Sequence, residues 1–414
     1  MTASASHRTH GTTPARDRVT VVGGGLAGLT AAVAAAEAGA PVTLYEAHHT
    51  LGGRARISDG PYRVHEGPHV FYTGPMWSWL KRRGLIGPTG RVPFADATRL
   101  RFLQGGELRR TPPRGLLRLA RIPAGGAPVD ETYTEWATRT AGPAAAAATA
   151  NFMGVALFHH DPGSLSAAFV HRRFRRVTGM PPGVRYPLGG FGQVLELMAA
   201  RARDLGVRIE TSARVDELPA DRGPVIVATS LAAARGLLGD DSLRWSGGRT
   251  VLLDLAVRRD RRDPFVVSDL DRPGWVERFS AVSPLIAPRG ESLYQAQFPV
   301  GPDEGKAEGL ARAERVLGVA LPGWRARETW RRTALAQDRS GAVDPPGTTW
   351  RDRPAVDRGD GVFLAGDQVA ADGLLGEVAF GSGLTAAPLA VGALGAQRRD
   401  RGAGARAALD LKFG

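Results

Sequence analysis

The stretch RVTVVGGGLAGLTAAVAAAEAGAPVTLYE, Arg18–Glu46, decides the fold. Arg18 to Val22 is a short β-branched run and reads as a buried strand. Gly23, Gly25 and Gly28 follow in the spacing G-x-G-x-x-G. Leu26 to Ala38 is rich in Ala and Leu and reads as a helix. Pro41 to Glu46 is a second strand. A glycine pattern that leaves a strand and opens a helix inside a βαβ unit marks a dinucleotide-binding turn. Gly23 permits the tight turn, Gly25 lets backbone approach a diphosphate, and Gly28 lets helix and strand pack closely. The helix start, which carries Leu26 and Ala27, then faces the phosphate charge. Glu46 stands 18 residues after Gly28, where a carboxylate accepts hydrogen bonds from ribose hydroxyls and disfavours a 2′-phosphate. The plainer alternative is a glycine-rich turn with a surface glutamate.

Further along, Glu46 is followed by Leu51-Gly52-Gly53-Arg54-Ala55-Arg56. This E-x5-G-G-R run resembles the second half of the flavin fingerprint of the FAD-dependent amine oxidase and phytoene desaturase superfamily. The resemblance implies that Gly52, Gly53 and Arg54 lie against the FAD diphosphate, and a cation beside a diphosphate is sensible from charge alone. A second match lies near the other end. Val362-Phe363-Leu364-Ala365-Gly366-Asp367 reads as a buried strand ending in Gly366-Asp367. The resemblance implies that Asp367 hydrogen-bonds the ribityl chain or a nearby phosphate; the alternative is a helix cap. Gly373 to Ala387 resembles the family's flavin-contacting helix start, with Glu377 and Val378 at its amino end. Relatives often carry Asp where Glu377 stands, and the longer arm changes the contacts available there. Arg185 to Gln193 resembles the family's return from substrate domain to FAD domain, and Val215 is the residue expected to touch adenine through its backbone.

His65-Glu66-Gly67-Pro68-His69-Val70-Phe71 looks like the G-P-H segment of bacterial phytoene dehydrogenase-like proteins. The resemblance implies that Gly67 and Pro68 make a rigid turn near the flavin. His69 is then the candidate catalytic residue, orienting substrate or moving protons, with a structural histidine as the alternative. Many amine oxidases use a lysine near the flavin and a C-terminal tyrosine cage. The only lysines here are Lys81, Lys306 and Lys412, and the last tyrosine is Tyr294. The branch expected is therefore a dehydrogenase or desaturase that moves hydride from a small lipophilic or natural-product substrate to flavin N5, with oxygen or a quinone as electron acceptor. The rivals are a flavin amine or amino-acid oxidase and a flavoprotein isomerase or cyclase without net oxidation.

Composition narrows the chemistry. The chain of 414 residues has no cysteine, which excludes disulfides, thiolate catalysis and Cys-ligated metals, and makes any flavin attachment to sulfur impossible. Non-covalent FAD is expected, and no metal. The net charge is +13, carried almost wholly by arginine, and no nucleic-acid motif accompanies it. Residues 1–17 read as a disordered arm without a signal-peptide core. The most apolar stretch, Ala141 to Phe158, reads as a soluble helix, so the protein is expected in the cytoplasm. Arg101, Arg109, Arg110, Arg114, Arg118 and Arg121 surround Leu116, Leu117 and Leu119, which allows peripheral contact with anionic lipid. The expected class is α/β. A Rossmann-like FAD-binding domain of the glutathione reductase type (18–75, 181–240 and 352–414) is interleaved with an α+β substrate-binding domain (76–180 and 241–351).

Overall fold

The computed structural model describes residues 15–65, 70–179, 183–337 and 341–413. A five-stranded sheet runs in the spatial order Val362–Leu364, Val225–Val227, Val19–Val22, Val42–Tyr45, Arg208–Glu210. All its pairs are parallel, so both ends and the middle of the chain meet in one Rossmann-like layer. Parallel strands need cover on both faces, and the VTVV, VIV and VFL runs supply it with near-continuous apolar side chains. The helix Leu26–Glu37 packs on this sheet and is buried on nearly every side, as an Ala-rich helix without a polar face must be. A Cβ added at Gly383 would lie 2.5 Å from the Ala27 carbonyl oxygen, so glycine lets the C-terminal helix, Gly376–Phe413, touch the first one. Each buried Val or Leu of this core contributes about 2 kcal/mol.

The second layer is a seven-stranded mixed sheet in the order Glu328–Gln337, Arg249–Arg258, Glu291–Val300, Gly274–Glu277, Val266–Asp269, Leu100–Gln104, Glu107–Arg109. Alternation assigns its faces. Val251, Leu253, Leu255 and Val257 pack under Ala313, Val316 and Leu317 of the helix Lys306–Ala320. The intervening positions face the parallel sheet's side of the molecule. A helical cluster, Tyr133–Ala141, Pro143–Leu157 and Ala167–Val177, forms a third core.

The fold class is the expected one, and tertiary contacts decide its details. The strand Arg208–Glu210 goes no further because Ser212 takes a positive φ of 53° and its N–H turns to the His48 carbonyl. Val215 therefore sits in irregular chain packed on the first core. The expected boundary at residue 75 cuts the start of the helix Pro75–Arg82, whose Met76, Trp79 and Leu80 belong to the first core. Trp79 meets Phe380 edge-on at 5.5 Å, and Arg83 forks onto Glu37 at 2.7 Å, so the packing of the parallel-sheet layer extends past it. The final helix runs from Gly376 to Phe413. Within its segment Gly376–Ala403 an 18-residue window with mean hydropathy 1.5 is long and apolar enough by length and composition to cross a membrane, and half of that window is buried in the core. The stretch read as most apolar, Ala141 to Phe158, is a helix over Pro143–Leu157 that packs into the third core. Leu116 and Leu119 of the basic stretch point into that core, while Leu117 is exposed, as are Phe94, Leu100 and Leu108 nearby. Of the expected N-terminal arm, Ala15–Asp17 form a 3-10 turn held by Arg401 on Asp17 at 2.5 Å; residues 1–14 lie outside the described residues.

Candidate active site

The glycine-rich turn is built as its residues demand. Gly23 has φ +108°, and a Cβ there would lie 2.6 Å from the Ala228 carbonyl oxygen. A Cβ at Gly28 would lie 1.8 Å from the Gly23 carbonyl oxygen. Gly25, by contrast, caps the first helix in extended conformation, and a Cβ there would meet nothing within 4 Å. No side chain caps this helix start and no acidic residue stands in its first turn. The open space and the uncapped N–H groups fit an anionic group held by backbone. Leu26 and Ala27 are buried behind it.

Glu46 is buried and braces the turn, accepting from Gly24 N–H and from His48 N–H, each at 2.8 Å. The Gly-Gly-Arg loop folds onto the same turn. Gly52 adopts φ +114° and donates its N–H to the Gly24 carbonyl at 2.8 Å, and Gly53 sits beside Gly25. Arg54 then reaches Asp367 through two parallel hydrogen bonds of 2.5 and 2.6 Å. Asp367's charge holds the guanidinium protonated against the cost of burial. Gly366 N–H is fixed by Ser382 Oγ at 2.9 Å, so strand end, Asp367 and C-terminal helix form one unit. Three loops far apart in sequence thus converge on the amino end of the first helix.

The start of the C-terminal helix is clamped from the substrate side. The helix Ala167–Val177 puts Arg172 on Asp372 at 2.7 Å, Arg173 on the Gly373 carbonyl at 2.8 Å, and Arg176 on Glu377 at 2.7 and 2.5 Å. Glu377 also accepts from Leu374 N–H at 3.0 Å. Glu377 N–H and Val378 N–H bond back to the Leu374 and Leu375 carbonyls, so the helix opens with tight turns. Leu375 holds φ +50°, a conformation that costs a branched residue energy and persists because its surroundings impose it. The Arg172, Arg173 and Arg176 spacing is a helical one, and that was the signal available in the sequence for this clamp.

The run His65 to Phe71 is described only in part, since Gly67, Pro68 and His69 lie outside the described residues. His65 is buried, accepts Phe191 N–H on Nε2 at 3.3 Å, and therefore donates from Nδ1 to Gln295 Oε1 at 3.1 Å. Gln295 passes the chain to Asp254 at 2.8 Å, and Arg332 closes it on Asp254 at 2.8 Å. Burial holds the His65 imidazole neutral, its pKa lowered to about 4. Because the folded state then binds fewer protons than the unfolded chain below pH 6.5, stability from His65 is complete above that pH and drains away toward pH 4. The wild type is expected to lose about 2 kcal/mol between pH 7 and pH 5 through this group. Denaturant titrations of wild type and His65→Asn at both pH values check it: an unchanging difference between the two proteins refutes the assignment.

The family description "NAD(P)-binding Rossmann-like domain" matches residues 21–83. No curated protein sequence matches the chain. Among solved structures, an oxidoreductase from Methanosarcina mazei is similar at 17% identity and TM-score 0.72, covering 89% of this chain and 99% of that one. Cyclohexylamine oxidase from Brevibacterium oxydans is similar at 17% identity and TM-score 0.67, covering 90% and 98%. A putrescine oxidase variant gives 15% and 0.67, covering 90% and 98%. At such identities these likenesses establish a shared fold over nearly the whole chain, a Rossmann-like layer joined to a sheet domain.

Proposed function

We propose that the protein is an FAD-dependent oxidoreductase, a dehydrogenase or desaturase of small lipophilic substrates. The observation that carries this reading is the Arg54–Asp367 fork closing two distant loops over the open helix start at Gly25. Gly23, Gly25 and Gly28 would hold the diphosphate, with Arg54 as its cation and Glu46 beside the ribose. Val215 lies on the adenine side and Asp367 toward the ribityl chain. The Glu377–Val378 turn, locked by Arg176, is the element positioned for the ring. Bound FAD supplies a two-electron acceptor for hydride. The chain's own part is to orient the substrate and exclude water at the seam between the layers. Lys306 donates to the Thr333 carbonyl on the surface of the seven-stranded sheet, away from this seam, which favours a lysine-independent reaction.

The amine-oxidase reading is kept because two of the fold's solved neighbours are named as oxidases of amines. A visible spectrum of the purified protein tests the cofactor: absorbance bands of oxidised flavin are expected. Anaerobic titration then tests the reaction, with bleaching by lipophilic substrates expected and hydrogen peroxide from an amine panel favouring the rival. A folded, colourless protein that refuses added FAD overturns both.

A further inference from the structure

One row of the seven-stranded sheet crosses the seam side by side. Arg332 pairs in register with Asp254, Asp254 with Gln295, and Gln295 with Glu277, all on one face. The first three satisfy one another and His65, as described above. Glu277 ends the row and is 4% exposed, and among the described residues its only hydrogen bond is from Tyr186 Oη to Oε1 at 3.0 Å.

That makes it unlike every other buried carboxylate among the described residues. Asp96 meets Arg278, Asp254 meets Arg332, Asp263 meets Arg327, Asp344 meets Arg353, and Glu377 meets Arg176. Asp269 has Arg315 at 3.8 Å and two backbone N–H groups, and Glu46 has two backbone N–H groups. A buried carboxylate with no cation and no amide among the described residues is costly to ionise, and a donor brought by a ligand would offset that cost. The surroundings fit a ligand head. Tyr186 stands edge-on to Phe279 at 5.9 Å. Tyr72, on the strand paired with that of Tyr186, lies under Arg176 at 5.3 Å, and its hydroxyl has no protein partner among the described residues. Through Arg176 this pocket of groups adjoins Glu377 and the start of the C-terminal helix.

We propose that Glu277, oriented by Tyr186, anchors a hydrogen-bond-donating head group of the substrate, an alcohol or a protonated amine carried on an apolar body. The inference rests on the flavin reading for its place beside the reacting centre. Its chemistry rests on the unpartnered carboxylate alone. Burial pushes the Glu277 carboxyl up to about 7. The groups around it are Tyr186, Tyr72, the Arg176–Glu377 pair and the His65–Gln295–Asp254–Arg332 chain, and among these the cations are already neutralised by carboxylates. Above pH 7 the anchor is therefore an anion and favours ammonium; below it, a neutral acid treats alcohol and ammonium alike.

The test uses the purified protein with whatever flavin it carries, calorimetry as the readout, and n-octylammonium, n-octanol and heptyl methyl ether as probes. At pH 8 octylammonium is expected to bind at least about tenfold tighter than the ether, which has no donor. Glu277→Gln should erase that preference while leaving ether binding and melting temperature in place. Equal binding of ether and donors, or octylammonium binding unchanged in Glu277→Gln, overturns the proposal. Should that variant not fold, the wild type alone decides: a preference for ammonium over alcohol that grows as pH rises from 6 to 8 supports the anchor, and a flat one overturns it. A colourless protein would sink the flavin reading and still leave the anchor measurable.

Discussion

Gly25→Ala is expected to leave the flavin-free protein as stable as the wild type and to weaken FAD binding at least a hundredfold, about 2.7 kcal/mol. Gly28→Ala should do the opposite first, destabilising the fold itself by about 3 kcal/mol. The two glycines stand three residues apart in one motif, yet they meet different neighbours. At Gly25 the backbone has φ −79° and ψ −171°, which alanine adopts freely, and the space where its methyl would go is open. Only a ligand passing close to that backbone would object to the methyl. At Gly28 the methyl would fall 1.8 Å from the Gly23 carbonyl oxygen, inside any contact distance, whether a ligand is bound or not. Thermal melts without FAD and fluorescence titrations with FAD separate the two effects. If Gly25→Ala binds FAD as tightly as the wild type, the diphosphate does not cross this helix start.

The Arg54–Asp367 fork is expected to show a coupling energy of about 1–3 kcal/mol in a double-mutant cycle with Arg54→Met and Asp367→Asn. The pair is bidentate but not sealed from water, with side-chain exposures of 30% and 15%, so the lower half of the range fits the stability readout. The larger effect falls on the cofactor. Arg54→Met removes the cation assigned to the diphosphate and frees the Gly-Gly-Arg loop from the C-terminal strand, and FAD affinity should drop by about two orders of magnitude. Asp367→Asn keeps the shape, removes the partner charge, and should cost affinity less. Urea unfolding of the four proteins gives the coupling, and FAD titration of the same set gives the affinity ranking. Coupling indistinguishable from zero would mean that the two ends of the chain are joined by packing alone. An affinity order with Asp367→Asn weakest would exchange the roles assigned to the two residues.

The turn at Gly23–Gly28 was legible in the sequence because its reasons are local: a strand, a tight bend and a helix start leave few residue types any choice. The Gly52–Arg54 loop and the Gly366–Asp367 strand end were legible through their resemblance to flavin proteins, and the structure brings both to that turn. The extent of elements was less legible. The strand after Arg208 ends early because Ser212 N–H finds a tertiary acceptor, His48, and the helix Pro75–Arg82 joins the first core because Trp79 finds Phe380.

What the sequence by itself determined is the amino-terminal end: the βαβ unit, the positions of its glycines, and the absence of any thiol or cysteine-ligated metal chemistry. Only the tertiary structure decided how the seam between the layers is arranged. Arg332 reaches the His65 carbonyl across 267 residues of chain, Arg176 reaches Glu377 across 201, and Tyr186 reaches Glu277 across 91. No short-range pattern records such pairings. They follow from strand register and from the face each side chain takes once the sheets close, and so does the setting of Glu277, which has no cation beside it where the other buried carboxylates among the described residues have a cation or backbone N–H groups.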